Sequence, residues 1–404
     1  MRVASGRQCT HTEHRHATFV DAIAQFFRNG AFERVAVPFE GGIVAVGSEA
    51  RGRVVLEDIA SRALRNNPLG DPSVRQLPVY LPPGYDAGAR RYPVLVALAG
   101  FTGSGPMMLN RSGWGLSLDA RLDRLHRERR IGPMIVVMPD CFTRYGGSQY
   151  LDSAATGRYA RHLVREIVPF VDRRFRTLPS ARHRGIFGKS SGGYGALMHA
   201  MLHPDVFGAV ACHSGDMGFE YCYAADFPKL LRQLDQHGGV RGFVRAFERA
   251  PRKTHELIGA MELLAMAACY SPDRRRPLGI ALPMDLRTGA YDDAVWRRWL
   301  RHDPLRLAPA RAAALRRLRL LFFDCGRRDE FNLLWGARQL RAVLRRRSVP
   351  HRYEEFDDGH MDISYRLDRS LPLLWRAIRP PPADRDAVRA RPRVSRTAKP
   401  MKNG

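Results

Sequence analysis

Residues 184–195 contain a G-x-S-x-G word, Gly188-Lys189-Ser190-Ser191-Gly192, directly after an apolar run and ahead of the helix-forming Ala196, Leu197, Met198 and His199. A serine in that setting sits on a sharp strand-to-helix turn, which lifts its hydroxyl clear of the backbone. Only minimal side chains fit two residues before and after it. The helix N-terminus behind it aims N–H groups and the positive end of the helix dipole at a developing oxyanion. The same words hold Gly-Lys-Ser, but a phosphate-binding loop requires glycine where His183 stands, so that reading fails on spacing.

A serine nucleophile needs a base to take its proton and a carboxylate to orient that base. Both follow in the order serine, acid, histidine. The apolar run Leu318–Phe323 leads into Asp324-Cys325-Gly326-Arg327-Arg328-Asp329, and the next run, His351–Phe356, leads into Asp357-Asp358-Gly359-His360. Ser190, Asp329 and His360 are therefore expected to meet at one edge of a sheet. Asp216, one expected strand earlier, is the alternative acid.

The elements that must position these residues alternate along the chain. Strands are expected at Gln76–Leu81, Pro93–Ala99, Met134–Pro139, Arg184–Phe187, Phe207–Cys212, Leu318–Phe323 and His351–Phe356. Leu163, Ile167, Phe170 and Val171 share a helix face near 157–175, and Leu333, Leu334, Ala337, Leu340, Val343 and Leu344 share another. Such β-α-β units predict an α/β protein with a mostly parallel sheet covered on both faces. Residues 219–305 break the rhythm with helical segments at Lys229–Gln236, Val240–Glu248, Thr254–Ala268 and Asp292–Leu300, read as a helical cap insertion. The domain is expected over 53–376, with an N-terminal appendage at 1–52 and a disordered basic tail at 377–404. In the appendage Phe19, Val20, Ile23, Phe26 and Phe27 have the spacing of one docking helix.

Composition narrows the classes further. At 404 residues, 45% hydrophobic and 26% charged, the chain is globular. It lacks a membrane-length apolar run and a signal-like leader, which leads us to expect a cytoplasmic protein. The formal charge of +26 rests on 66 Lys+Arg, of which five are lysine. So lopsided a use of arginine reads as a solvated basic surface, and nucleic acid is not an expected partner. Phosphate contacts, if made, would show as steep salt dependence. Six scattered cysteines lack a C-x-x-C pair and read as small buried residues. Cys9, His11, His14 and His16 lack a second ligand cluster, so no metal and no organic cofactor is expected.

The chain resembles the esterase branch of the α/β-hydrolases, which includes S-formylglutathione hydrolases, enterochelin-esterase-like proteins and mycolyltransferase-like acyltransferases. The matching words are Asn67-Pro68-Leu69-Gly70-Asp71-Pro72, Val79-Tyr80-Leu81-Pro82-Pro83-Gly84-Tyr85, the serine turn, Cys325-Gly326-x-x-Asp329-x-Phe331 and Gly359-His360. The resemblance implies that Asp329, rather than Asp324, is the triad acid. It also implies backbone oxyanion donors, which fall on Phe101 and Ser191. Two departures stand out: Ala99-Gly100-Phe101-Thr102-Gly103 replaces the usual His-Gly of the first-strand loop, and Lys189 replaces a common histidine. Lys189, Trp114, Tyr150 and His213 are candidate substrate contacts, with Tyr145 and Gln149 in the same glycine-flanked loops. The expected activity is hydrolysis of a small-molecule carboxylic ester or thioester. The alternatives are an acyltransferase using the same acyl-enzyme and an inactive binding protein on the same scaffold.

Overall fold

Every residue of the run Val94–Leu98 is buried, as are all of Ile135–Val137 and Ala209–His213. Strands hidden on both faces belong inside a parallel sheet with helices on each side. A computed structural model describes residues 51–381. The helix expected at Phe19–Phe27, the Cys9–His16 residues and most of the expected basic tail lie outside the described residues.

The strands are β1 (Arg53–Ala60), β2 (Val74–Leu81), β3 (Val94–Leu98), β4 (Ile135–Val137), β5 (Asp152–Ser153), β6 (Gly157–Arg158), β7 (Arg184–Lys189), β8 (Ala209–His213), β9 (Leu320–Gly326) and β10 (Arg352–Phe356). Eight form one sheet in the order β1-β2-β4-β3-β7-β8-β9-β10, and β5 pairs with β6 alone. Strand β2 is antiparallel to both its neighbours, and every pair from β4 to β10 is parallel. All seven expected strands are present. β1, β5 and β6 are the additions, β1 being an edge strand with most of its residues partly or fully exposed.

Period-two alternation sorts the strand residues onto two cores. Val94, Val96 and Leu98 face one, and Leu95 and Ala97 face the other. Helix α1 (Leu118–Arg127) covers the second face, together with the C-terminal helix Leu367–Ile378. The first face carries α2 (Val168–Arg174) and α3 (Ser191–Leu202), the helix that follows the serine turn. Part of the arginine excess serves inside the fold. Arg75, Arg121 and Arg184 are buried and paired with Asp140, Asp368 and Asp172.

Between β8 and β9 the chain is helical: α4 (Phe219–Cys222), α5 (Phe227–Gln236), α6 (Val240–Arg249), α7 (His255–Tyr270), α8 (Asp293–Leu300), α9 (Pro304–Leu307) and α10 (Ala312–Arg316). An aromatic cluster anchors this insertion to α3. Tyr194 lies 6.1 Å from Tyr270, and Tyr270 lies 5.4 Å from Trp299, between ring centroids. The described chain ends with α11 (Leu333–Arg346) and α12 (Leu367–Ile378). Among the described residues no helix is long and apolar enough to cross a membrane, and the five described cysteines are free and buried.

Candidate active site

Strand β7 ends at Lys189 and α3 begins at Ser191, so Ser190 makes the whole turn between them. Its φ of 58° and ψ of −129° lie where an L side chain is strained by about 1–3 kcal/mol. The turn is held from both sides: Ser190 N–H donates to the His213 carbonyl at 2.9 Å, and Tyr194 N–H donates to the Ser190 carbonyl at 2.8 Å. Glycine is required here by close approach. A Cβ on Gly188 would lie 2.4 Å from the Gly192 carbonyl carbon, and one on Gly192 would lie 2.2 Å from the Leu98 carbonyl oxygen. Ser190 Oγ has no hydrogen-bond partner among the described residues.

Asp329 and His360 lie on the loops that leave β9 and β10, the strands at this end of the sheet. A Cβ on Gly326 would lie 2.4 Å from the Asp358 and Gly359 carbonyl oxygens, so only glycine lets the two loops abut. His360 Nδ1 is 2.9 Å from Asp329 Oδ2, with side-chain exposures of 4% and 0%. The other carboxylate oxygen accepts the N–H groups of Phe331 (3.0 Å) and Leu333 (3.4 Å), which fixes the Asp329 rotamer. Glu330 accepts the His360 backbone N–H at 2.6 Å, and Phe331 packs edge-on against the imidazole with centroids 4.7 Å apart.

The other two acids are engaged elsewhere. Asp324 is bound to His213 Nδ1 at 2.7 Å and to Arg366 at 2.9 Å, and His213 Nε2 meets Ser370 Oγ at 2.8 Å. That leaves neither ring nitrogen of His213 for a substrate, although the residue lines a cavity together with Lys189. Asp216 Oδ2 accepts from Gln149, Tyr223 and Ser191 Oγ at 2.9, 2.8 and 3.2 Å. Burial pushes the Asp216 carboxyl up, against these donors and the nearby His360.

The loop after β3 is braced by a chain of contacts. His199 of α3 meets the Tyr150 carbonyl at 3.0 Å, and the Tyr150 hydroxyl donates to the Ala99 carbonyl at 2.7 Å. Thr102 N–H donates to Gly146 and Gly103 N–H to Gly100, whereas Phe101 N–H has no acceptor among the described residues. Ser191 opens α3, where the first N–H groups of a helix have no partner within it. Tyr150 is thus a buried brace for this loop, not a surface that meets substrate. Tyr145 and Gln149 are likewise buried. Trp114 stands fully exposed on the loop before α1 and makes no contact with the site among the described residues. Lys189 is half-buried and lines a cavity beside Gly100. Among the described residues no group of three metal-ligating side chains comes together.

Glu330, Tyr223, Tyr270 and His199 join the site region without a sequence signal of their own. Tyr223 and Tyr270 lie in the insertion and reach Gln149 only through the fold, so no local spacing marks them.

Burial holds the His199 imidazole down at about 3, with the neighbouring His203 adding to the shift. The depressed value favours the neutral ring in the folded chain. The unfolded chain therefore binds the extra proton as pH falls below about 6.5, and stability drops progressively toward pH 3. Between pH 7 and pH 5 this group alone removes about 2 kcal/mol. His199→Gln, which keeps a donor for Tyr150, is expected to abolish that part of the decline. Urea unfolding at the two pH values measures it, and an unaltered decline refutes the assignment.

With this geometry in view, the likeness to known proteins can be placed. A curated endo-1,4-beta-xylanase/feruloyl esterase of Xylanibacter ruminicola is 29% identical over 207 residues, 47% of this chain but only 27% of the relative. The chain thus spans about a quarter of that relative's length. A ferulic acid esterase structure aligns over 81% of this chain and 99% of its own, with 21% identity and a TM-score of 0.53. An S-formylglutathione hydrolase from Agrobacterium tumefaciens aligns over 81% and 96%, with 18% identity and a TM-score of 0.51. FphF, a fluorophosphonate-binding serine hydrolase of Staphylococcus aureus, aligns over 82% and 100%, with 17% identity and a TM-score of 0.50. At these identities the structures speak for the α/β-hydrolase fold. Residues 72–368 match the family described as Putative esterase. That match covers most of the chain, which belongs to this family and has the α/β-hydrolase fold.

Proposed function

We propose that the chain hydrolyses small carboxylic esters and thioesters through Ser190, His360 and Asp329. The observation that carries this reading is the buried Asp329–His360 pair, 2.9 Å apart, at the sheet edge where Ser190 occupies its strained turn. Asp329 holds the imidazole with Nδ1–H toward the carboxylate, which leaves Nε2 to take the Ser190 proton. The oxygen of Ser190 attacks the acyl carbon, and the carbonyl oxygen becomes an oxyanion facing the N–H groups of Phe101 and Ser191. As the bond to the leaving oxygen or sulfur breaks, His360 returns its proton to that atom. Water then repeats the cycle on the acyl-enzyme and releases the acid. Every atom of this sequence comes from side chains, substrate and water.

The insertion at 219–305 is read as the cap that shapes the pocket. A cavity of about 520 Å³ is lined by Leu230 of α5, Ile258 and Glu262 of α7 and by Phe331, the residue packed on His360. Free buried cysteines support a reducing, cytoplasmic setting. The test is product analysis with 4-nitrophenyl acetate and an acyl thioester, with and without an added alcohol or amine acceptor. Free acid as the main product is expected. Transfer product in excess of free acid would replace hydrolysis by acyl transfer.

A further inference from the structure

Lys189 sits one residue before the nucleophile and lines a cavity of about 330 Å³ together with Gly100, at the small end of ligand pockets. Most of the remaining wall is apolar, from Met107, Met108, Leu116, Ile363 and Leu367. Arg121 also reaches this wall, but Asp368 pairs with it. Lys189 has no hydrogen bond or ion pair among the described residues. The two other described lysines do: Lys229 pairs with Asp226 at 2.6 Å, and Lys253 donates to main-chain carbonyls. Burial lowers the pKa of the Lys189 ammonium, while Asp362, Asp329 and Glu330 oppose the shift from a distance. A cation against an apolar wall, without a bonded acceptor, is costly until a ligand brings one.

Stereochemistry decides which part of the substrate this cavity takes. A tetrahedral carbon on Ser190 carries the oxyanion, the leaving group and the acyl chain. The leaving group must lie against His360 to receive its proton. Phe331 packs on His360, so the leaving group lies toward this pair. The cavity of Lys189 and Gly100 includes neither His360 nor Phe331 in its walls, and it remains for the acyl chain.

We propose that the enzyme takes short apolar acyl groups ending in an anion, with the Lys189 ammonium meeting the terminal carboxylate. This rests on the Ser190–His360–Asp329 reading. The size of the cavity, about 330 Å³, keeps the spacer short.

Two measurements separate the subsite from the chemistry. The first is ligand-observed NMR titration of the Ser190→Ala protein with monomethyl glutarate and with dimethyl glutarate. The monoacid is expected to bind at least about tenfold more tightly, and Lys189→Met in the same background is expected to remove the difference. Equal affinities, or a difference that survives Lys189→Met, overturn the proposal. The second is kcat/KM for 4-nitrophenyl hemiglutarate against 4-nitrophenyl pentanoate. The ratio is expected to exceed about ten, to persist in Lys189→Arg and to collapse in Lys189→Met, chiefly through KM. Because each variant is scored by the ratio of two esters, a general loss of activity cancels. A binding preference without turnover of either ester keeps the anion subsite and overturns the hydrolase reading instead.

Discussion

Ser190→Ala is expected to abolish ester turnover, a loss of about 10⁴–10⁶-fold in kcat, and to eliminate labelling by a fluorophosphonate probe. In the unaltered protein, peptide mass mapping should place the label on Ser190. The size of the effect follows from the role: the hydroxyl is the atom that bonds to the acyl carbon, and alanine has nothing to substitute for it. The turn adds a second signature. At φ 58° and ψ −129°, alanine is as strained as serine, so Ser190→Ala should leave the unfolding free energy nearly unchanged. Glycine accepts this conformation, and Ser190→Gly relieves about 1–3 kcal/mol of strain against roughly 0.5–1 kcal/mol of added chain entropy. Ser190→Gly is therefore expected to be inactive yet more stable by about 1 kcal/mol. Label on another residue, or activity retained in Ser190→Ala, refutes Ser190 as nucleophile.

The parts of this protein that were readable before the fold was seen are those governed by local rules. Val94–Leu98 and Ala209–His213 are apolar throughout because both their faces are covered, and such runs announce themselves. Gly188 and Gly192 were legible because backbone packs against backbone there, which no side chain tolerates. β1 was passed over because an edge strand buries little, and its Glu57, Asp58 and exposed Leu56 blur the alternation. The less legible part was what the loop residues do. Tyr150 and His213 were at the expected edge of the sheet, but their polar atoms are spent on Ala99, Asp324 and Ser370. A sequence shows that a tyrosine lies near a site; it does not show which carbonyl claims its hydroxyl. Tyr223 and Tyr270 meet Gln149 across more than 70 and 120 residues, so only the packed insertion brings them together.

The three carboxylates near the strand ends give the second large prediction, because each has different partners. Asp329→Asn is expected to lower kcat by about 10⁴-fold at neutral pH, since an amide in that place favours the wrong imidazole tautomer. The fold should persist, because the amide oxygen can still accept the Phe331 and Leu333 N–H groups. Asp216 touches Ser191 Oγ, Gln149 and Tyr223 and makes no hydrogen bond to His360. Asp216→Asn is thus expected to cost about tenfold or less, through Ser191 and the loops it braces. Asp324→Asn acts on stability: it weakens the buried hydrogen bonds to His213 and to Arg366, whose other partner is Glu354, a loss of about 1.5–3 kcal/mol. Measuring kcat and urea unfolding for the three variants separates these roles. Activity that survives Asp329→Asn but is lost in Asp216→Asn on folded protein would move the acid to Asp216. The hydrogen bond at His360 Nδ1 predicts the opposite order, because only the carboxylate bonded to the imidazole can hold its tautomer and steady its charge as Ser190 gives up its proton.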